Sequence, residues 1–222
     1  PAPGLTCMLQ LHYYPSTASM APHILLEEIG VPFELVLVDR AQGVHKTQQY
    51  LQLNPNGLIP SLTQGDLVLY ESAAICLHLC DGHPLADLAP APGTPQRAHF
   101  YKWLVWLTNT LQATLIVYFY PERWVNAGNA AGIAQVREHA ESRVRVLLDL
   151  LERELVRHGG PWLLGDHYSA VDAYAMMLCR WTRNFGQPAR SRTHLGPYLQ
   201  RVLERPAVQR AFATEQIAPP WV

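Results

Sequence analysis

Two hydrophobic periods follow one another along the chain: short apolar runs of strand character mixed with helical spacing in the first third, and helical spacing alone afterwards. Leu9 to Tyr14 sets Leu and Tyr among polar residues and stops at Pro15, which predicts a strand. A turn, Pro15-Ser16-Thr17-Ala18-Ser19, comes next. From Met20 the apolar positions Ile24, Leu25 and Ile29 recur at helical spacing. Pro22 falls in the first turn, where a missing N–H is harmless, and Gly30 sits where a left-handed residue would end the helix. Phe33 to Val38 predicts a second, buried strand, and Lys46 to Leu53 has modest helical character. Asn54-Pro55-Asn56-Gly57-Leu58-Ile59-Pro60 is a turn entering a strand from Ile59 to Thr63. Gly65-Asp66 is a tight turn, with Leu67 to Tyr70 as hairpin partner. A helix from Ser72 to about Cys80 stops at Gly82. This order of elements belongs to a small α/β domain.

Four prolines (Pro84, Pro90, Pro92, Pro95) crowd the next stretch and resist both helix and strand, which predicts an interdomain linker over 84–95. Beyond it the periodicity is helical throughout: Gln96 to about Val117, Gln135 to Arg157, Ser169 to about Asn184, and Pro197 to Arg205. The stops are Pro121, Gly159-Gly160, Gly186 and Pro206. The expected organisation is a leader or expression remnant over 1–7, an α/β domain over 8–83, the linker, and an all-α domain over 96–222.

Charge and composition narrow the partners. The 222 residues carry 17 Lys and Arg against 18 Asp and Glu, a net charge of −1, so no global positive field exists to hold nucleic acid or an anionic membrane. No apolar stretch approaches the roughly 20 residues needed to span a bilayer. Cys7, Cys76, Cys80 and Cys179 include no Cys-x-x-Cys pair, and no His is spaced for a zinc site, so no metal is expected. Reduced thiols suit a cytoplasmic protein, and Cys76 and Cys80, four apart on a helix, read as buried apolar thiols.

Two short segments carry candidate chemistry. Ile59-Pro60 places a proline in a hairpin strand; proline cannot donate to a ladder, and a cis bond in a tight corner leaves the preceding backbone N–H and C=O pointing outward, able to pair with an extended peptide. Glu71-Ser72 joins the last strand to a helix. Free N–H groups and a Ser hydroxyl there make a carboxylate site, and Glu71 is placed to receive an ammonium, which together would hold an α-amino acid head group.

In this order the motifs resemble a known family. The strand, the turn Pro15-Ser16-Thr17-Ala18-Ser19-Met20-Ala21-Pro22-His23 into Leu25-Leu26-Glu27-Glu28, the segment Asn54-Pro55-x-Gly57-x-Ile59-Pro60, and Tyr70-Glu71-Ser72-x-Ala74-Ile75 resemble the thioredoxin-like domain of cytosolic glutathione transferases, nearest to the bacterial beta class. Gly165-Asp166-His167-Tyr168-Ser169-Ala170-Val171-Asp172-Ala173-Tyr174 is similar to that superfamily's helix-capping motif, and Ser169 with Asp172 three residues on is a capping box in its own right. The resemblance implies an N-terminal thioredoxin-like domain and a C-terminal all-helical domain. It implies glutathione as co-substrate, bound between the domains. Leu58 contributes backbone only, Ile59 and Pro60 take the cysteinyl part, and Glu71 and Ser72 take the γ-glutamyl end.

One departure governs the expected chemistry. The beta class carries a cysteine in the turn before the first helix, and here Ala18 occupies that position, so no mixed disulfide with glutathione can form there. The remaining hydroxyls are Ser16, Thr17 and Ser19, beside a helix N-terminus whose dipole favours an anion. Ser16 and Thr17 rank ahead of Ser19 as the group that holds the thiolate, because Ser19 can be spent on capping. Tyr14, Trp106, Asn109, Gln112 and Ala113 are the expected hydrophobic substrate pocket, Gln112 standing where the beta class has a helical His. The implied activity is attack of the glutathione thiolate on small, mostly apolar electrophiles. A glutathione-dependent isomerase of a maleyl-type diacid and a non-catalytic glutathione or ligand binder are the alternatives. The apolar face from Tyr101 to Leu111 and the family likeness together imply a homodimer.

Overall fold

Leu9 and Leu11 alternate with Gln10 and His12, and both leucines are buried, which makes β1 (Leu9–Tyr13) an inner strand. The computed structural model describes residues 8–222, so the expected leader over 1–7 and Cys7 lie outside the described residues. The chain divides into two units: residues to Leu88 together with Arg205–Ile217, and Ala89–Glu204 together with Ala218–Val222.

In the first unit, α1 (Met20–Ile29), β2 (Phe33–Leu37), α2 (Gln48–Leu53), β3 (Ser61–Gln64), β4 (Leu67–Tyr70) and α3 (Ser72–Gly82) follow β1. The sheet has the order β2-β1-β3-β4, with β2 parallel to β1 and the other pairs antiparallel. Leu11 pairs with Leu35 on one side and Leu62 on the other. Gly30 ends α1 at φ 73°, donating to the Leu26 carbonyl, as its position in the pattern predicts.

Two expectations are corrected here. β2 is an edge strand and not a buried one: it has a single neighbour, and Leu37 is 54% exposed. The strand expected from Ile59 begins at Ser61, so Ile59 and Pro60 precede an inner strand and do not lie within it. An inner strand uses N–H groups toward both neighbours, which a proline cannot supply.

The helix expected to stop at Pro206 does end before it, at Leu203, but Pro206 also opens a further helix that the apolar pattern does not indicate. Pro206 is the first residue of α9 (Pro206–Thr214), because a proline suits the first helical position as well as it breaks an interior. Val208, Ala211 and Phe212 are buried. The Arg205 guanidinium donates to both carboxylate oxygens of Glu28, at 2.5 and 2.9 Å, and Arg210 Nε donates to Glu27 at 2.5 Å, tying α9 to α1.

The second unit is helical: α4 (Pro95–Trp106), α5 (Ala113–Phe119), α6 (Ala130–His158), α7 (Ala170–Trp181) and α8 (Leu195–Leu203). The single helix expected to about Val117 is interrupted by a π-helical turn over Leu107–Gln112. Thr108 within that turn and Thr114 just after it donate their hydroxyls to the carbonyls four residues back, each at 2.7 Å. α6 starts earlier than the apolar pattern because Asn129 caps it, accepting the Gly132 N–H at 2.8 Å.

Every residue of α7 from Ala170 to Arg180 is buried, so its start needs internal partners. Asp172 supplies them. Its carboxylate accepts the backbone N–H groups of Ser169 and Leu163 and the Tyr198 hydroxyl, each at 2.8 Å. Burial nevertheless lifts this acid from 3.8 to about 6, the hydrogen bonds opposing the shift. The folded chain therefore holds the Asp172 proton more tightly than the unfolded one, and this group's contribution weakens as pH rises from about 4 to about 6, by roughly 3 kcal/mol at most. Chemical denaturation at several pH values should show the stability margin of wild type over Asp172→Asn shrinking across that window and constant above it. Asp172→Ala, which strands three buried donors, should cost about 3–5 kcal/mol.

Candidate active site

The turn from β1 into α1 is organised by one acceptor. The Thr17 hydroxyl donates to the Tyr14 carbonyl at 2.7 Å, and the Ser19 hydroxyl reaches the same carbonyl at 3.1 Å. Ser19 is fully buried and Thr17 half-buried. Ser16 adopts φ 62°, a left-handed conformation uncommon for serine, and its N–H donates to Glu215 Oε2 at 2.9 Å. No acidic residue lies in the first turn of α1, so the positive end of its dipole faces the turn uncompensated from within the helix.

The Glu71-Ser72 segment meets this turn. The Ser72 hydroxyl donates to the Ala18 carbonyl at 3.0 Å, which brings the start of α3 against the position that lacks a cysteine. Glu71 is exposed and has φ 71° and ψ 112°, outside the regions ordinary residues occupy, and it directly precedes the first residue of α3. Ser72 is the first helical residue and not the cap itself.

Ile59–Pro60 is cis. Just before it, the Leu58 carbonyl is clamped by two donors, the Tyr50 hydroxyl and Asn54 Nδ2, each at 2.8 Å. Leu58 therefore has its carbonyl turned into the fold and its side chain outward. Among the described residues, neither the N–H nor the C=O of Ile59 makes a hydrogen bond. Lys46 Nζ donates to the Gly57 carbonyl at 3.2 Å; Gly57 has φ 60°, and a Cβ on it would stand 2.9 Å from the His45 carbonyl oxygen, so the loop needs a glycine here.

Of the expected pocket residues, Tyr14 belongs to the first unit and the others to the second. Trp106 is half-buried and packs edge-on against Trp103 at 5.2 Å. Asn109 and Ala113 are exposed and four apart. Gln112 accepts the Tyr174 hydroxyl at 2.5 Å, so its amide oxygen is committed to the helix packing. Cys76, Cys80 and Cys179 are free, buried thiols; burial pushes Cys76 well up and Cys179 up to about 12, which leaves both inert as nucleophiles. Among the described residues no group of three His, Cys, Asp or Glu is placed to hold a metal, and no helix is long and apolar enough to cross a membrane.

Glu215 and His23 reach the turn without any local signal. His23 is fully buried on α1, and its Nδ1 meets Glu215 Oε1 at 2.8 Å. The motif Ala21-Pro22-His23 marks the position of the histidine but not its acid partner, 192 residues away. Lys46 is equally silent in the sequence, since a lysine in a polar segment reads as a solvated charge.

Comparison with known proteins agrees with this architecture. Residues 9–81 match the glutathione S-transferase N-terminal domain model and residues 107–206 the C-terminal domain model. The glutathione S-transferase GST-4.5 of Xanthomonas campestris is 30% identical over 207 residues, covering 93% of this chain and 98% of that protein. A glutathione transferase homologue from Sulfitobacter, solved with bound glutathione, superposes with a TM-score of 0.85 at 25% identity, covering 94% and 98% of the two chains. The beta-class enzyme of Sphingomonas chungbukensis gives a TM-score of 0.81 at 29% identity, covering 94% of this chain and all of that one, 100%. A thioredoxin-like sheet followed by a helical unit, with both domain models matched in order and relatives aligned over nearly the whole length, makes this chain a member of the glutathione S-transferase family and an enzyme of that kind.

Proposed function

We propose that the chain binds glutathione in its thioredoxin-like unit and conjugates the thiolate to small, mostly apolar electrophiles. The observation that carries this reading is the Ser72 hydroxyl on the Ala18 carbonyl, which joins the candidate γ-glutamyl site to the candidate thiol site. Glu71 and Ser72 hold the γ-glutamyl group, Glu71 receiving its ammonium and the N-terminus of α3 its carboxylate. The open backbone N–H and C=O of Ile59 pair with the cysteinyl residue, and Lys46, which reaches that loop from the turn before α2, supplies a cation for the glycyl carboxylate. Trp106, Asn109 and Ala113 on the α4 to α5 stretch favour an apolar second substrate.

Activation runs without a protein thiol. The free glutathione thiol has a pKa of about 8.5, and a hydroxyl donor plus a helix N-terminus lowers it by one to two units, each worth about 1.4 kcal/mol. Ser16 and Thr17 rank ahead of Ser19 as the donor, because the Ser19 hydroxyl is fully buried and turned onto the Tyr14 carbonyl. Tyr13 is less suited: burial and the nearby Glu215 carboxylate raise its phenol. The buried free thiols suit a reducing cytoplasmic setting.

Three measurements test this reading. Calorimetry should show Glu71→Ala binding glutathione about 2 kcal/mol more weakly than wild type, and unchanged affinity would remove Glu71 from the site. Titrating the thiolate absorbance of bound glutathione should move up by about one to two units in Ser16→Ala and stay put in Ser19→Ala. If no hydroxyl variant moves it, backbone N–H groups and the helix dipole hold the thiolate alone. Third, Tyr101 and Val105 lie four apart on α4, 45% and 56% exposed, and support a two-fold homodimer. Sedimentation at micromolar concentration should give twice 25.0 kDa, and a 25.0 kDa monomer would refute the dimer.

A further inference from the structure

We infer that Glu215 is a positioning residue of the glutathione site: its buried carboxylate holds the backbone of Ser16 and thereby fixes the turn that faces the thiol. The inference rests on the proposed glutathione site. Glu215 lies on no motif of that site and is about 200 residues from the turn, yet both carboxylate oxygens are committed there. Oε2 accepts the Ser16 N–H at 2.9 Å, and Oε1 accepts His23 Nδ1 at 2.8 Å. The Glu215 side chain is 1% exposed and that of His23 is 0%, so the carboxylate and its histidine partner are shielded from water. A carboxylate only accepts, so His23 Nδ1 carries the proton in this contact.

The geometry is held from both ends. At the α9 end, Glu215 is the C-cap: Gln216 follows at φ 54°, its N–H on the Ala213 carbonyl, and the Ile217 N–H reaches the Phe212 carbonyl at 2.9 Å. This is a Schellman closure with a glutamine in the position glycine usually takes. Arg205 on Glu28 and Arg210 on Glu27 tie the rest of α9 to α1. At the other end, the His23 ring sits between Tyr13 at 6.3 Å and Phe33 at 5.9 Å, which leaves the carboxylate a partner that cannot swing away. Charged hydrogen bonds to a backbone N–H are among the stronger ones, and here one is spent on a serine in a left-handed conformation. The Ser16 hydroxyl and the start of α1 take their direction from that backbone.

Reach and charge separate in three variants of the full chain. Glu215→Gln keeps an oxygen at the same distance from Ser16 and turns its NH2 to His23 Nδ1, which accepts once the ring proton moves to Nε2; Glu215→Asp keeps the charge but withdraws it by one methylene; Glu215→Ala removes both. Glutathione affinity by calorimetry, the thiolate titration of the bound tripeptide, and kcat with a chlorinated nitroaromatic would be read for each, with circular dichroism confirming the fold. Positioning through reach predicts Glu215→Gln within about threefold of wild type, and predicts Glu215→Asp and Glu215→Ala about tenfold or more down in kcat at saturating glutathione, with the titration shifted up by about one unit. Should Glu215→Ala fail to fold, the contrast between Gln and Asp decides alone. A folded Glu215→Asp that matches wild type in titration and kcat overturns the inference. A wild-type chain that binds no glutathione overturns instead the site reading beneath it.

Discussion

Two hydroxyls converge on the carbonyl of Tyr14, Thr17 at 2.7 Å and Ser19 at 3.1 Å, and this shared acceptor sets the turn around which the rest of the candidate site is assembled. A half-buried carbonyl just past the end of an inner strand gains from a partner inside the fold, and losing it costs about as much as a lost hydrogen bond. Satisfying it from the turn's own side chains bends the chain directly into α1. It also commits two of the three hydroxyls to the turn itself. The turn that positions the chemistry thus consumes part of the chemistry available to it, and Ser16, displaced into a left-handed conformation, is left facing a different environment.

The alanine at position 18 gains its meaning from this arrangement. Its carbonyl, not its side chain, is what the neighbouring segment uses, since the Ser72 hydroxyl binds it at 3.0 Å. A backbone contact of this kind survives the exchange of a cysteine for an alanine, so the architecture of the site can persist while the mode of thiol activation changes. Burial pushes the Cys76 and Cys179 thiols to high pKa, which makes each a poor nucleophile.

Much of this was legible in the sequence where the deciding contacts are local. Gly30 ends α1, Ser169 and Asp172 cap α7, and Glu71-Ser72 opens α3, each through residues within four positions of one another. The misjudged elements depend on partners far along the chain. Phe33 to Val38 is apolar enough for a buried strand, but its place at the sheet edge follows from the crossover through α1. Pro206 reads as a stop and also starts a helix, because proline is compatible with both and only the docking of α9 on α1 decides the second. Glu215 carried no signal at all: a glutamate near the end of a chain reads as solvated, and its burial is created by His23 and the Ser16 backbone.

The central claim is that glutathione binds with its γ-glutamyl end at the start of α3 and its sulfur at the turn after β1, activated without a protein thiol. A crystal structure of the full chain with glutathione tests this most directly. The account predicts the γ-glutamyl carboxylate on the Ser72 N–H and hydroxyl, the ammonium at Glu71, the cysteinyl backbone paired with Ile59, and the sulfur within hydrogen-bonding distance of Ser16 or of an N–H at the start of α1. A sulfur lying away from residues 16–20, or a γ-glutamyl group bound elsewhere than Glu71-Ser72, would contradict it.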